Sequence, residues 1–277
     1  MFVTNPYYVY INSRNRESGT NANFSYNIQF PEGFDYTHVV CLNALIPKSY
    51  YLIQEGENTF ILQENATQVI IDIPIGSYLL TAFKNVIGAL LTAASPNGLT
   101  YTVTYPPPST TDTGKFTYTQ SNGTITSSLI FNGELFEPFG FLPNSTNTFT
   151  GTLLTSANVI KLQSEDRLLI HSSLVNNPGM DDILVSINST TSINYSSIAY
   201  ECQYPEFYSH ILSSKHNNTC SFTLTDENND ILKLNGLNMN ITLLFYKKDP
   251  IYDQIRSFFK LLVMKPPETQ ETLENSS

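Results

Sequence analysis

Strict alternation of apolar and polar residues toward both ends of the chain is the feature that most narrows its fold. In "NFSYNIQF", Phe24, Tyr26, Ile28 and Phe30 share one parity while Ser25, Asn27 and Gln29 take the other. A strand turns successive side chains to opposite faces, so this pattern builds a ribbon with one buried face. The runs "YTVTY", "KFTYT" and "IAYECQY" repeat it with Tyr101, Val103 and Tyr105, with Phe116 and Tyr118, and with Ile198, Tyr200 and Cys202. In "NITLLFY", Ile241, Leu243 and Phe245 stand opposite Thr242, Leu244 and Tyr246, which predicts a strand covered on both sides. Turn formers separate the runs at Pro31-Glu32-Gly33, Ser121-Asn122-Gly123-Thr124, Asn228-Asn229-Asp230 and Asn235-Gly236. Many short strands punctuated in this way predict a mainly β chain, a sandwich or barrel. Composition points the same way. Charged residues make up only 14%, against about a quarter in an average domain; Asn, Ser and Thr supply the polar surface.

Two segments break the alternation. Between Gly76 and Ser95, the residues Leu79, Phe83, Val86, Ile87, Leu90 and Leu91 recur at helical spacing, and Pro96-Asn97-Gly98 stops the run. A helix flanked by short strands predicts an inserted α+β domain over residues 57–154. It would separate N-terminal β strands in 1–56 from C-terminal β strands in 155–248. The second break is residues 249–277, an amphipathic segment and tail. Asp249 suits an N-cap and Pro250 the first helical position. Ile251, Ile255, Phe258 and Leu262 then recur at i, i+4, i+7 and i+11, widened by Phe259, Val263 and Met264. A terminal strand through 257–264 is the competing reading. The stripe needs a surface to cover, either its own barrel or a neighbouring protein.

Several classes of function are disfavoured. A net charge of -10 and a pI near 4.8 do not suit direct nucleic-acid binding, which needs clustered Lys and Arg. The opening "MFVTNPYYVY" has neither a basic region nor a long apolar run, so no signal peptide is expected. No segment has the length of apolar sequence that a membrane span needs. Cys41, Cys202 and Cys220 lack metal-type spacing and read as reduced thiols, two or three of them buried. His38 and His171 sit in strand-like runs and read as structural histidines, and His210 and His216 bring no partner motif. There is no nucleophile elbow, dinucleotide fingerprint or phosphate loop. "DENNDI" begins like a calcium loop, but Ile231 stands where glycine is required, so a hairpin turn is expected. The adjacent acids Glu165-Asp166 and Asp181-Asp182 would point in different directions on extended chain. The expectation is a protein that is not an enzyme and has no metal or cofactor.

Three stretches together resemble a known group. "YYVYINSRNRESGTNANFSYNIQFP", "YTHVVCLNALIPKSYYLI" and "FTLTDENNDILKLNGLNMNITLLFY" are similar to the penton and minor capsid proteins of virophages, polinton-like viruses and nucleocytoplasmic large DNA viruses. The shared elements fall on Ser13-Arg14-Asn15-Arg16, on Ile46-Pro47-Lys48-Ser49-Tyr50-Tyr51, and on residues 224–245. The resemblance implies a single jelly-roll barrel with an insertion projecting from one end. It further implies a virion protein assembled in the host cytoplasm, forming homopentamers at icosahedral vertices beside a major capsid protein. The alternatives are another minor capsid (cement) protein or, from a different class, a carbohydrate-active β-sandwich. The absence of Trp disfavours the last. Candidate interface residues are Arg14 and Arg16, with Ile251, Ile255, Phe258 and Leu262. Arg14 and Arg16 share parity, so on an extended strand both would face a carboxylate of the barrel or of a neighbour.

Overall fold

The computed structural model of the chain describes residues 3–33, 35–105, 112–133, 135–163, 166–175, 182–189, 195–213 and 218–248. The N-terminal part contributes β1 (Val3–Asn12), β2 (Ser18–Gly19), β3 (Asn23–Asn27) and β4 (His38–Pro47). The middle holds β5 (Thr59–Glu64), β6 (Thr67–Asp72), α1 (Leu80–Ala94), β7 (Tyr101–Thr104), β8 (Thr117–Gln120), β9 (Ser127–Phe131), β10 (Ser145–Thr148) and β11 (Leu153–Thr155). The last part holds β12 (Arg167–Ser172), β13 (Ile183–Asn188), β14 (Ser197–Glu201), β15 (His210–Ile211), β16 (Thr219–Thr225) and β17 (Asn240–Lys248).

Strands from the two ends of the chain interleave. One sheet runs β1-β17-β4-β14, with β15 also beside β4; the other runs β13-β12-β16-β3-β2. All pairings are antiparallel. Leaving aside the two-residue β2 and β15, four strands face four, mostly with neighbours remote in sequence. That winding is an eight-stranded jelly roll. Its core draws Phe24, Val39, Cys41, Ile46, Leu168, Ile170, Phe222, Leu224, Leu243 and Phe245 from both sheets. The strand expected to be covered twice is so: β17 is buried continuously from Ile241 to Tyr246. Its inner residues enter the core, whereas Leu244 and Tyr246 join Val40 in a separate cluster.

The middle strands pair among themselves, as β10-β9-β5-β6 and β11-β8-β7. They enclose a second core rich in aromatic rings, where Phe139 lies 4.9 Å from both Phe60 and Phe131. That core also takes in Ile53 and the partly buried Ile160 and Leu162, beyond both 57 and 154. The helix begins later than its apolar spacing predicts. Ile53 and Gly76 exchange backbone hydrogen bonds of 3.0 and 3.1 Å, which hold the approach outside the helix, and Leu79 becomes the N-cap, 77% exposed. Phe83, Ile87 and Leu91 carry the buried stripe instead. Gly88 faces β7, where an added Cβ would meet the Tyr101 carbonyl oxygen at 3.4 Å, an ordinary contact distance.

Candidate functional site

The strand directions gather one set of connections at one end of the barrel. β1 and β4 both run antiparallel to β17, so both finish where β17 begins. Residues 13–22, 195–196 and 226–239 meet there; Lys48 exchanges backbone hydrogen bonds with Tyr195 and Ser196, and the Ser189 N–H donates to the Asp166 carbonyl.

The three stretches that carry the resemblance come together at this end, around residues 234–239. Asn12 accepts a hydrogen bond from the Arg14 N–H at 2.8 Å and starts a single 3-10 turn, Ser13–Asn15. Ser13 is buried; its N–H donates to the Met239 carbonyl at 3.0 Å, and its hydroxyl accepts from the Met239 N–H at 3.1 Å. Asn21 donates to the Leu237 carbonyl at 2.8 Å. From the second stretch, the Ser49 hydroxyl donates to the Leu234 carbonyl at 2.7 Å, and the Asn235 side chain donates to the Ser49 carbonyl at 2.6 Å. Asn235 and Gly236 adopt left-handed conformations, φ 47° and 87°, which Asn and Gly accept most readily. Lys48 and Tyr50 are buried beside this junction. Burial pushes the Lys48 ammonium pKa down, and nearby Asp166 opposes that shift.

The shared-face geometry expected for the two early arginines is not what the chain adopts. The 3-10 turn breaks the strand between them, so strand parity no longer applies. Arg16 donates from Nε to the Gly19 carbonyl and from a terminal nitrogen to the Ser13 carbonyl, both at 3.0 Å. It closes its own loop. Gly19 completes that closure with φ 93°; a Cβ there would stand 2.2 Å from the Asn23 carbonyl oxygen. Arg14 is exposed, and no carboxylate among the described residues pairs with either arginine. Ile251, Ile255, Phe258 and Leu262 lie outside the described residues, as does His216.

The calcium-like stretch is a turn, as expected. The Asp226 carboxylate accepts from the N–H groups of Asn228 and Asp230 at 2.9 and 2.8 Å, and Asn229 takes φ 68°. Next to it, a cleft of about 400 Å³ lies between the barrel and the middle strands. Its walls include Glu55, Glu57 and Glu227, and Lys161 reaches Glu137 at 3.2 Å and Asp166 at 3.8 Å. The most reaction-like arrangement is His171, which contacts Asp182 through Nδ1 at 2.7 Å and Thr225 through Nε2 at 3.0 Å. Thr225 is buried, however, and its hydroxyl donates to the Asp226 carbonyl at 3.0 Å. A nucleophile needs a free, accessible oxygen; here the three groups tie β12 to β16 and to the residue preceding β13. No group of His, Cys, Asp or Glu among the described residues could hold a metal ion, and none of the described helices is long and apolar enough to cross a membrane.

Fold and site together define a mainly β, jelly-roll protein whose end loops are locked by hydrogen bonds between remote segments. No family model and no curated protein matches the sequence. Among solved structures, the chain is similar to selenomethionine-labelled mavirus penton protein, with a TM-score of 0.46 and 12% identity, covering 87% of this chain and 100% of that one. A likeness at this level adds nothing to the fold read from strand order.

Proposed function

We propose that this chain is a structural protein of a viral capsid, of the penton kind, forming homopentamers at icosahedral vertices beside a major capsid protein. It would reside in the virion after assembly in the host cytoplasm. The observation that most supports this reading is the convergence of the three resembling stretches, through Ser13, Asn21 and Ser49, on residues 234–239. Isolated short motifs arise by chance. Motifs that are hydrogen-bond partners in the fold have a common structural reason to occur together in order. Fold alone does not imply function, so the weight rests on those contacts. Residues 57–154 would act as an inserted domain leaving the barrel at the same end, with the flanks of the sheets free for lateral contact between copies. Arg14, exposed on its turn, is the early arginine available to a neighbour's carboxylate.

Light scattering coupled to size exclusion tests the stoichiometry. A mass of five chains is the expected result. A monomer at high protein concentration and moderate salt, together with density away from the vertices in particle maps, would replace the penton reading with that of a cement protein.

A further inference from the structure

We infer that the chain binds one uncharged, apolar small molecule in the cavity between β13 and the segment from Tyr200 to His210. Among the described strands, β13 stands last in the order of one sheet and β14 in the order of the other. Between them lies a cavity of about 450 Å³, walled by residues 183–186 on one side and by Tyr200, Tyr204, Tyr208 and His210 on the other. Pockets that take small molecules enclose about 300–1,000 Å³ and are mostly apolar, with a few placed polar groups. The surface of this cavity is mostly apolar. Cys41, a residue of the barrel core, is also in its lining, so the cavity reaches inward from the surface. Val185 and Tyr200 pack against that same core.

The fold sets this wall in place by itself. Where the segment leaves β14, the Cys202 N–H donates to the Leu42 carbonyl at 2.7 Å. Where it rejoins the sheet, His210 and Ile211 pair with Val39 and His38. Between these anchors the Phe207 N–H donates to the Tyr204 carbonyl at 3.0 Å, and the two rings meet edge-on at 6.4 Å. His210 Nε2 meets the Leu184 carbonyl at 2.9 Å and ties one sheet to the other beside the cavity. A wall ordered beforehand lowers the cost of binding. Its chemistry selects an uncharged guest. Burial pushes the His210 pKa down, opposed by the bond to Leu184, and burial pushes the Tyr200 pKa up. Near neutral pH both groups are therefore neutral. The described lining includes the acid Glu201 and neither Lys nor Arg, so a carboxylate or phosphate head has no counter-charge there. A cation would lose hydration against mostly apolar walls. Tyr204 and Tyr208, 59% and 60% exposed, would bury ring surface against an aliphatic or aromatic guest, and that burial supplies the affinity. The site does not depend on any role in a capsid.

Titration of the full chain with N-phenyl-1-naphthylamine, an uncharged apolar fluorophore, tests the inference. Fluorescence should saturate at one molecule per chain. Tyr204→Ala combined with Tyr208→Ala should weaken binding by about tenfold through the lost ring contacts. Leu79→Ala, at an exposed leucine away from the cavity, should leave it unchanged. Dodecanol should displace the probe more effectively than dodecanoate; the reverse order would overturn the assignment to an uncharged guest. Hydrogen exchange of the unmutated chain locates the probe, because amides in 183–186 and 200–208 should slow when the site is filled. That measurement decides if the double variant loses its fold. Fluorescence that never saturates, an equal loss in Leu79→Ala, unchanged binding in a folded double variant, or slowed exchange only elsewhere would each overturn the inference.

Discussion

Glu64 is a buried carboxylate whose surroundings keep it ionised. Burial raises its pKa, but hydrogen bonds from Ser95 at 2.7 Å, from Tyr101 at 2.8 Å, and from the backbone and side chain of Asn97 at 3.0 and 2.9 Å outweigh that, and the net shift is downward. A carboxyl whose folded pKa is depressed contributes stability above its ordinary value of 4.5 and loses it as pH falls through the folded value. Glu64→Ala should therefore cost about 2–3 kcal/mol in urea unfolding near neutral pH, because several donors are left unpaired. Glu64→Gln should cost less and flatten the loss of stability below pH 4.5. The arginines divide differently. Arg16→Ala should destabilise by about 1 kcal/mol through two lost hydrogen bonds. Arg14→Ala should stay within about 0.5 kcal/mol of the parent, and under the capsid reading it should weaken association. Comparing denaturation midpoints with sedimentation of both variants checks this pair. Their shared parity suggested a common face, but the Asn12 side chain caps a 3-10 turn between them that no spacing rule reveals.

At the scale of elements, periodicity was legible and boundaries were not. The stripe of Phe83, Ile87 and Leu91 could be read from spacing alone. The exposure of Leu79 could not, since it depends on a backbone pairing between Ile53 and Gly76. Phe83 packs edge-on to Tyr78 and Phe139 at 5.6 and 5.4 Å. Phe83→Ala should cost about 3–5 kcal/mol. If residues 57–154 act as an inserted domain, hydrogen exchange should speed up in α1 and β7 while the β4 and β17 amides keep their protection; loss of protection in both sets would mean a single cooperative unit. The 226–231 stretch was legible as a turn because Ile231 in place of the required glycine argued against calcium, and the Asp226 carboxylate instead accepts from the Asn228 and Asp230 N–H groups.

For the whole molecule, the net charge of -10 sets a condition on any self-assembly. Like-charged copies repel, and added salt screens that repulsion over a Debye length of about 10 Å at 0.1 M. Association measured by analytical ultracentrifugation should therefore strengthen between about 0.05 and 0.3 M salt; weakening over that range would mean that ion pairs across the interface outweigh the repulsion between like-charged copies. The sequence by itself determined the all-β frame, the helix in the middle and the turn positions, because alternation, helical spacing and Asn or Gly at left-handed positions are local properties. Tertiary structure alone decided that β1 lies beside β17 and β4 between β17 and β14, since strand order is a choice among non-local pairings that share one apolar pattern. It also decided that Ser13, Asn21 and Ser49 meet residues 234–239. Those are hydrogen bonds between segments remote in sequence, and polar residues in loops carry no periodicity from which a partner can be read.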